Sequence, residues 1–184
     1  PSSRPDADVD YTFAQVAVRE PIVDYSGNCG NMSSAIGPFA VDEGLVGAAD
    51  GKTAVRIHNT NTGKIIVSGF AVAGGRAVEE GDFVIPGVAG GGAPIRLAFQ
   101  DPGGANTGRL LPSGRPVDML EVPGVGLVEV SLVDSTAACV FVEAAALGCS
   151  AGESPLELER DAGLLDRLER IRRAAALRMG TAAT

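Results

Sequence analysis

The stretch Asp24-Tyr25-Ser26-Gly27-Asn28-Cys29-Gly30-Asn31, running on from Met32 to Val46, reads as a tight turn that delivers a cysteine to the start of a helix. Apolar residues at Met32, Ala35, Ile36, Phe39 and Ala40 recur at the i, i+3, i+4, i+7, i+8 spacing of one helix face. Gly44, after the acidic pair Asp42-Glu43, is a natural stop. Pro38 is expected to kink the helix, because it lacks an N–H and crowds the carbonyl of Ser34. The other face carries Ser33, Ser34, alanine and glycine instead of long charged side chains. The helix is therefore expected to have chain on all sides.

The chemistry of this stretch lies where the helix begins. The first N–H groups of a helix have no intrahelical acceptor, and the helix dipole favours negative charge beside them. A carboxylate arriving there is bound by backbone donors, and a sulfur at Cys29 would sit in the same field. Glycines flanking Asn28-Cys29 allow close approach to the backbone. The competing reading, a buried cysteine filling a small hole, has equal standing on these residues alone.

The 184 residues suffice for one domain with a real core, or for a domain and part of another. Net charge is −8 and the pI about 4.6, which argues against nucleic acid or an anionic membrane surface as partner. Hydrophobic content is 45% without an apolar run of the roughly twenty residues a membrane span needs. Cysteines stand at 29, 139 and 149 without C-x-x-C spacing, which fits a reducing, cytoplasmic compartment and not a disulfide framework. His58 is the single histidine, so a zinc site is not expected. There is no initiator methionine, and the expectation is a chain cut at both ends.

Residues 8–18, 54–60, 64–72, 94–100, 127–133 and 139–145 read as strands. Asn61-Thr62-Gly63 marks a hairpin, His58 a surface position on its strand, and residues 101–114 a long loop. Residues 87–92 are glycine-rich but match neither nucleotide-binding pattern. Cys139 is most simply core, and Asp134-Ser135 separates the last two strands. Ser154-Pro155-Leu156-Glu157 is a capping box, with a second helix start at Asp161. Beyond it Leu164, Leu165, Leu168, Ile171, Ala175 and Met179 form an apolar stripe, and the nearby arginines read as a solvated face. Short strands with glycine turns around one small-residue helix indicate an α+β, barrel-like lobe.

At Asn28-Cys29-Gly30-Asn31 and Ile36-Gly37-Pro38-Phe39-Ala40 the chain resembles the PrpF family of methylaconitate isomerases, which includes oxalomesaconate tautomerases and methylitaconate isomerases. The likeness continues through residues 55–64, 93–95, 107–112 and 131–134 to Leu168-Glu169-Arg170-Ile171-Arg172 and Met179-Gly180. It implies a diaminopimelate epimerase-like fold of two lobes, each wrapping strands around a central helix with the site between them. Residues 1–120 would be the later part of the first lobe, and residues 121–184 the opening of the second. By resemblance Cys29 is the catalytic cysteine, and Asn28, Gly30, Asn31 and Met32 hold a substrate carboxylate. The family's proposed base is a lysine upstream of the matching region, whereas Lys52 and Lys64 both follow Cys29. Where the family loop usually reads Gly-Lys-Leu-Leu-Pro-Thr-Gly-Asn, this chain has Arg109, Ser113 and Arg115.

The activity implied is a cofactor-independent allylic proton shift in an unsaturated di- or tricarboxylate. No metal is expected, no nucleic-acid or membrane partner, and a homodimer stays open. Two rivals remain: an amino-acid epimerase with one cysteine per lobe, and a non-catalytic polycarboxylate-binding or accessory protein.

Overall fold

In the computed structural model, which describes residues 1–183, the helix α1 (Gly30–Asp42) turns its smallest side chains inward. Ser33, Gly37, Ala40 and Val41 are buried, while Met32 is 53% and Phe39 55% exposed. The buried face is thus not the one the large apolar residues mark. The reason is how closely the helix approaches the sheet. A Cβ added at Gly37 would fall on Ser68 Oγ and come within 2.8 Å of Phe70 Cε1. Only small residues tolerate that approach, so the helix buries its small-residue face. Among the described residues, chain does not surround α1 on every side. The helix stops as expected, with Gly44 in the left-handed region at φ 67°.

The chain divides into two compact units, residues 1–102 and 103–184. In the first, β1 (Val9–Tyr11), β2 (Gln15–Val16) and β3 (Val23–Asp24) precede α1. After it, β4 (Gly51–Asn59) and β5 (Lys64–Ala73) form a long antiparallel hairpin in which Ile57 faces Ile66. The short β6 (Arg76–Ala77) and β7 (Arg96–Phe99) both pair with β5, and β1 runs parallel to β4. β2 and β3 make a separate two-stranded hairpin. The sequence joins residues 8–18 into one strand. The structure interrupts it at Phe13, whose N–H and carbonyl are both taken by the Asn61 side chain.

Alternation along β4 sends Val55, Ile57 and Asn59 inward and leaves Arg56 exposed. Val9, Ala40, Val41, Ile66, Phe70 and Val72 complete this core under α1. Each large aliphatic side chain here contributes about 1.5–3 kcal/mol by leaving water. Asn59 ends the inward row and is fully buried, so its amide must find partners within the protein.

The second unit is a meander of β8 (Asp118–Val122), β9 (Gly126–Ser135) and β10 (Ala137–Val142), followed by α2 (Pro155–Arg160) and α3 (Ala162–Met179). β8 escapes a reading for polar–apolar alternation because its inward row, Asp118, Leu120 and Val122, opens with a carboxylate. Cys139 is exposed instead of core, since Ala138, Val140 and Val142 form the inward face of β10. The capping box at Ser154 and Glu157 forms, and Asp161 accepts the Leu164 amide at 2.8 Å to start α3. Leu164, Ile171, Ala175 and Met179 are buried, whereas Leu165 and Leu168 are exposed.

The loop from residue 103 folds with this second unit, so the compact units divide after Pro102. Asp134 is the reason. It lies inside β9, fully buried, and does not separate two strands. Its carboxylate accepts from Asn106 N (2.8 Å), Asn106 Nδ2 (3.0 Å), Thr107 N (2.6 Å) and Thr107 Oγ1 (2.9 Å). Burial alone would raise its pKa, but the donors of Asn106 and Thr107 outweigh burial and hold it below the ordinary carboxylate value. The stability Asp134 contributes is therefore complete above the unfolded-state value of about 3.9, and it is lost as pH falls through the lower native value. Asp134→Asn is expected to cost about 1.5–3 kcal/mol at pH 7. Thermal melts taken down to acid pH should show the gap from wild type closing below about pH 4.

Candidate functional site

The turn before α1 is built from asparagines on a neighbouring hairpin. Asn61 Nδ2 donates to the carbonyls of Phe13 and Tyr25, each at 2.8 Å, and ties the two approaching segments together. Asn59 Nδ2 donates to Asn28 Oδ1 and to Asn61 Oδ1, both at 3.2 Å. Asn59 Oδ1 accepts from Thr62 N at 3.0 Å and Thr62 Oγ1 at 2.8 Å. The capacity of this buried amide is thus fully spent: its oxygen holds the hairpin turn at Thr62, and its nitrogen reaches Asn61 and, in the turn before α1, Asn28. At the turn's start Asp24 accepts the Ser26 amide at 2.8 Å, and that bond holds its carboxyl below the usual range.

From the helix side, Ser33 closes the same network. Its hydroxyl lies 3.1 Å from Asn28 Oδ1 and 2.8 Å from the Cys29 carbonyl, so one proton is shared between two acceptors. Cys29 occupies the N-cap of α1 with extended backbone, φ −116° and ψ 114°. Its side chain makes no capping hydrogen bond. Serine, threonine, aspartate or asparagine at this position would accept an amide of the first turn. The thiol leaves those amides unspent, and Gly30, Asn31 and Met32, which carry them, are exposed. The sulfur belongs to a half-buried residue.

The flanking glycines act through space and not through conformation. Neither Gly27 nor Gly30 has positive φ. The position a Cβ would take at Gly27 is open, and at Gly30 the first atom met is Phe99 Cζ at 3.9 Å. All five residues named from the sequence, Asn28, Cys29, Gly30, Asn31 and Met32, therefore lie on one turn, with only Asn28 and Cys29 half-buried. Sequence reasoning missed Asn59, Asn61 and Ser33 as their supports. The available signal was a pair of asparagines two residues apart at an inward-facing strand end.

Other chemistry-bearing groups are engaged elsewhere. His58 Nδ1 lies 3.0 Å from Asp10 Oδ1. Asp10 also accepts from the Ser2 hydroxyl and the Ser3 amide, which together hold its carboxyl far below the usual range. Cys139 is on β10 and Cys149 follows the short helical turn Ala144–Leu147. A groove of about 710 Å³ runs between α3 and β8 of the second unit, over Leu120, Pro123, Ala174 and Leu177. Its arginines already face carboxylates: Arg170 meets Asp166, Arg173 meets Glu169 and Arg178 meets Asp118. Among the described residues no cluster of histidine, cysteine and carboxylate side chains could hold a metal, and no helix is long and apolar enough to cross a membrane.

With this geometry in place, the chain is matched over residues 1–184 by the family described as PrpF protein. It is 47% identical over 184 residues to a 3-methylitaconate isomerase of Eubacterium barkeri, covering 100% of this chain and 48% of the relative. A 4-oxalomesaconate tautomerase of Pseudomonas putida is 44% identical over 178 residues, covering 97% of this chain and 48% of the relative. A crystal structure of methylitaconate-delta-isomerase superposes with a TM-score of 0.84 at 47% identity, over 100% of this chain and 47% of that one. The chain spans about half the length of the curated relatives it matches.

Proposed function

The chain belongs to the PrpF family, and from that membership we propose that the Cys29 turn is the proton-transfer centre of an isomerase acting on unsaturated di- or tricarboxylates. The observation that carries this reading is the N-cap of α1, where a cysteine forgoes capping and leaves exposed first-turn amides beside its sulfur. A substrate carboxylate would be held by the amides of Gly30, Asn31 and Met32, with Asn28 fixed behind them by Asn59 and Ser33. In the diaminopimelate epimerase-like arrangement that the family resemblance implies, the two units would be the later part of one lobe and the opening of another.

The reaction is a cofactor-independent allylic shift. One acid–base group removes a proton from the carbon next to the carbon–carbon double bond. The electron pair spreads over the allyl unit into the conjugated carboxylate, and a proton returns at the far end. No atom is gained or lost, and the double bond has moved. Negative charge that builds on the carboxylate oxygen is stabilised by the same first-turn amides. Cys29 serves as one acid–base group, and the family resemblance assigns the other to a lysine upstream of the matching region.

A two-cysteine epimerase would need a second cysteine at a helix start, and neither Cys139 nor Cys149 has that position. The discriminating experiment incubates the purified intact protein with methylitaconate-, methylaconitate- and oxalomesaconate-type acids and follows ultraviolet absorbance. A saturable change in conjugation is expected with at least one of them. Unchanged spectra with all three acids would refute the isomerase reading and favour a protein that binds polycarboxylates without converting them.

A further inference from the structure

Glycine in the first turn of a helix weakens it, so a glycine there calls for a reason. At Gly37 the reason is internal, since a Cβ would fall on Ser68 Oγ. At Gly30 the fold supplies none. Its φ is not positive, and beyond its chain neighbours a Cβ would meet one atom among the described residues, Phe99 Cζ at 3.9 Å, an ordinary van der Waals contact. Alanine would therefore fit. The room kept open at Gly30 lies on an exposed part of the turn, beside first-turn amides that have no acceptor within the helix. Phe99 borders that room. It ends β7, faces Ile66 of β5 in the register and packs against the core under α1, yet it is only half-buried, so part of it stays open to solvent.

We propose that the Phe99 ring and the bare Cα of Gly30 form an apolar slot beside those amides, and that the slot selects unsaturated acids by the carbon skeleton next to the bound carboxylate. This rests on the reading of the turn as a carboxylate site. A carboxylate alone is satisfied by backbone donors and draws nothing from an aromatic edge. In an α,β-unsaturated acid the carboxylate sits on an sp2 carbon, and the alkene with its substituents forms a flat apolar strip one bond away. Such a molecule is matched by a few donors for its oxygens and an apolar recess for the strip. A Cβ at Gly30 would stand in the path of the strip, and without the ring the strip would face water. Gly30 and Phe99 are thus specificity-determining residues, and a methyl branch on the skeleton is the group the slot favours.

The test titrates methylitaconate and itaconate, which differ by one methyl group, into the intact Cys29→Ala protein and into the same protein carrying Gly30→Ala or Phe99→Ala, followed by nuclear magnetic resonance. The parent should bind methylitaconate about fourfold more tightly, the gain from taking one methyl group out of water. Gly30→Ala should weaken both acids at least about fivefold, because it fills the recess. It should also melt at or above the parent temperature, since alanine suits a helix better than glycine. Phe99→Ala should erase the methyl preference, leaving the two acids within about twofold of each other. It removes core contacts as well and should melt lower. Parent-like affinities in Gly30→Ala overturn the proposal, and so does a lowered melting temperature there, which would give the glycine a structural role. A methyl preference that survives Phe99→Ala overturns it too. Saturation of the parent with the Gly30, Asn31 and Met32 amides unmoved would instead retire the carboxylate-site reading beneath it, and the slot with it.

Discussion

Cys29→Ala is expected to lower turnover by about 10²- to 10⁴-fold, the range that one positioned acid–base group supplies, while leaving carboxylate binding nearly intact. Binding survives because the amides of Gly30, Asn31 and Met32 belong to the backbone, and the Cys29 side chain contributes no cap to disturb them. The loss should therefore appear in kcat with KM little changed. Stability should move by less than about 0.5 kcal/mol, since the residue is only half-buried. Cys29→Ser is the sharper comparison. Serine is a preferred N-cap and would accept a first-turn amide itself, stabilising α1 by up to about 1 kcal/mol. It should melt higher than wild type and bind carboxylate more weakly than the alanine variant. Kinetics and thermal melts on the three proteins check this, and equal kcat in all of them would remove Cys29 from the chemistry.

Asn59→Ala should be the most damaging single change around the site that leaves Cys29 in place. It strips Thr62 N and Thr62 Oγ1 of their acceptor and Asn28 Oδ1 of one donor, in a fully buried position. Each buried group left unpaired costs about 1–3 kcal/mol, so a total near 3 kcal/mol is expected. With the turn loosened, turnover should fall about 10²-fold, the typical consequence of a displacement on the order of 1 Å at a reacting centre. Asn59→Asp isolates the role of the amide donor. It keeps the acceptor for Thr62 but sets a carboxylate oxygen against Asn28 Oδ1 and Asn61 Oδ1, so it should fail as badly as alanine. A wild-type melt and wild-type turnover for Asn59→Asp would show that the network is incidental.

Which parts of this were legible in the sequence follows from how far each signal reaches. The Asn28–Cys29 turn, the capping box at Ser154 and the second start at Asp161 are local devices, and the residues that make them are the residues that reveal them. The buried face of α1 was not legible, because Met32, Ile36 and Phe39 mark a periodic face while contact is decided by what Gly37 lets through. Asn59 and Asp134 were hidden for a different reason. Both are polar side chains at inward strand positions, where hydrophobic patterning predicts apolar residues. What redeems each of them is a partner far away in sequence: Asn28 for one, Asn106 and Thr107 for the other. β1 lies parallel to β4 and brings Tyr11 opposite Asn59, a pairing that no local pattern encodes.

The central claim is that the first turn of α1 grips a carboxylate beside the Cys29 sulfur. Amide resonances of the intact Cys29→Ala protein, followed by nuclear magnetic resonance during titration with an unsaturated tricarboxylate, test it most directly. The account predicts that Gly30, Asn31 and Met32 shift together along one saturable curve. Saturation with those three amides unmoved, while resonances elsewhere respond, would contradict it.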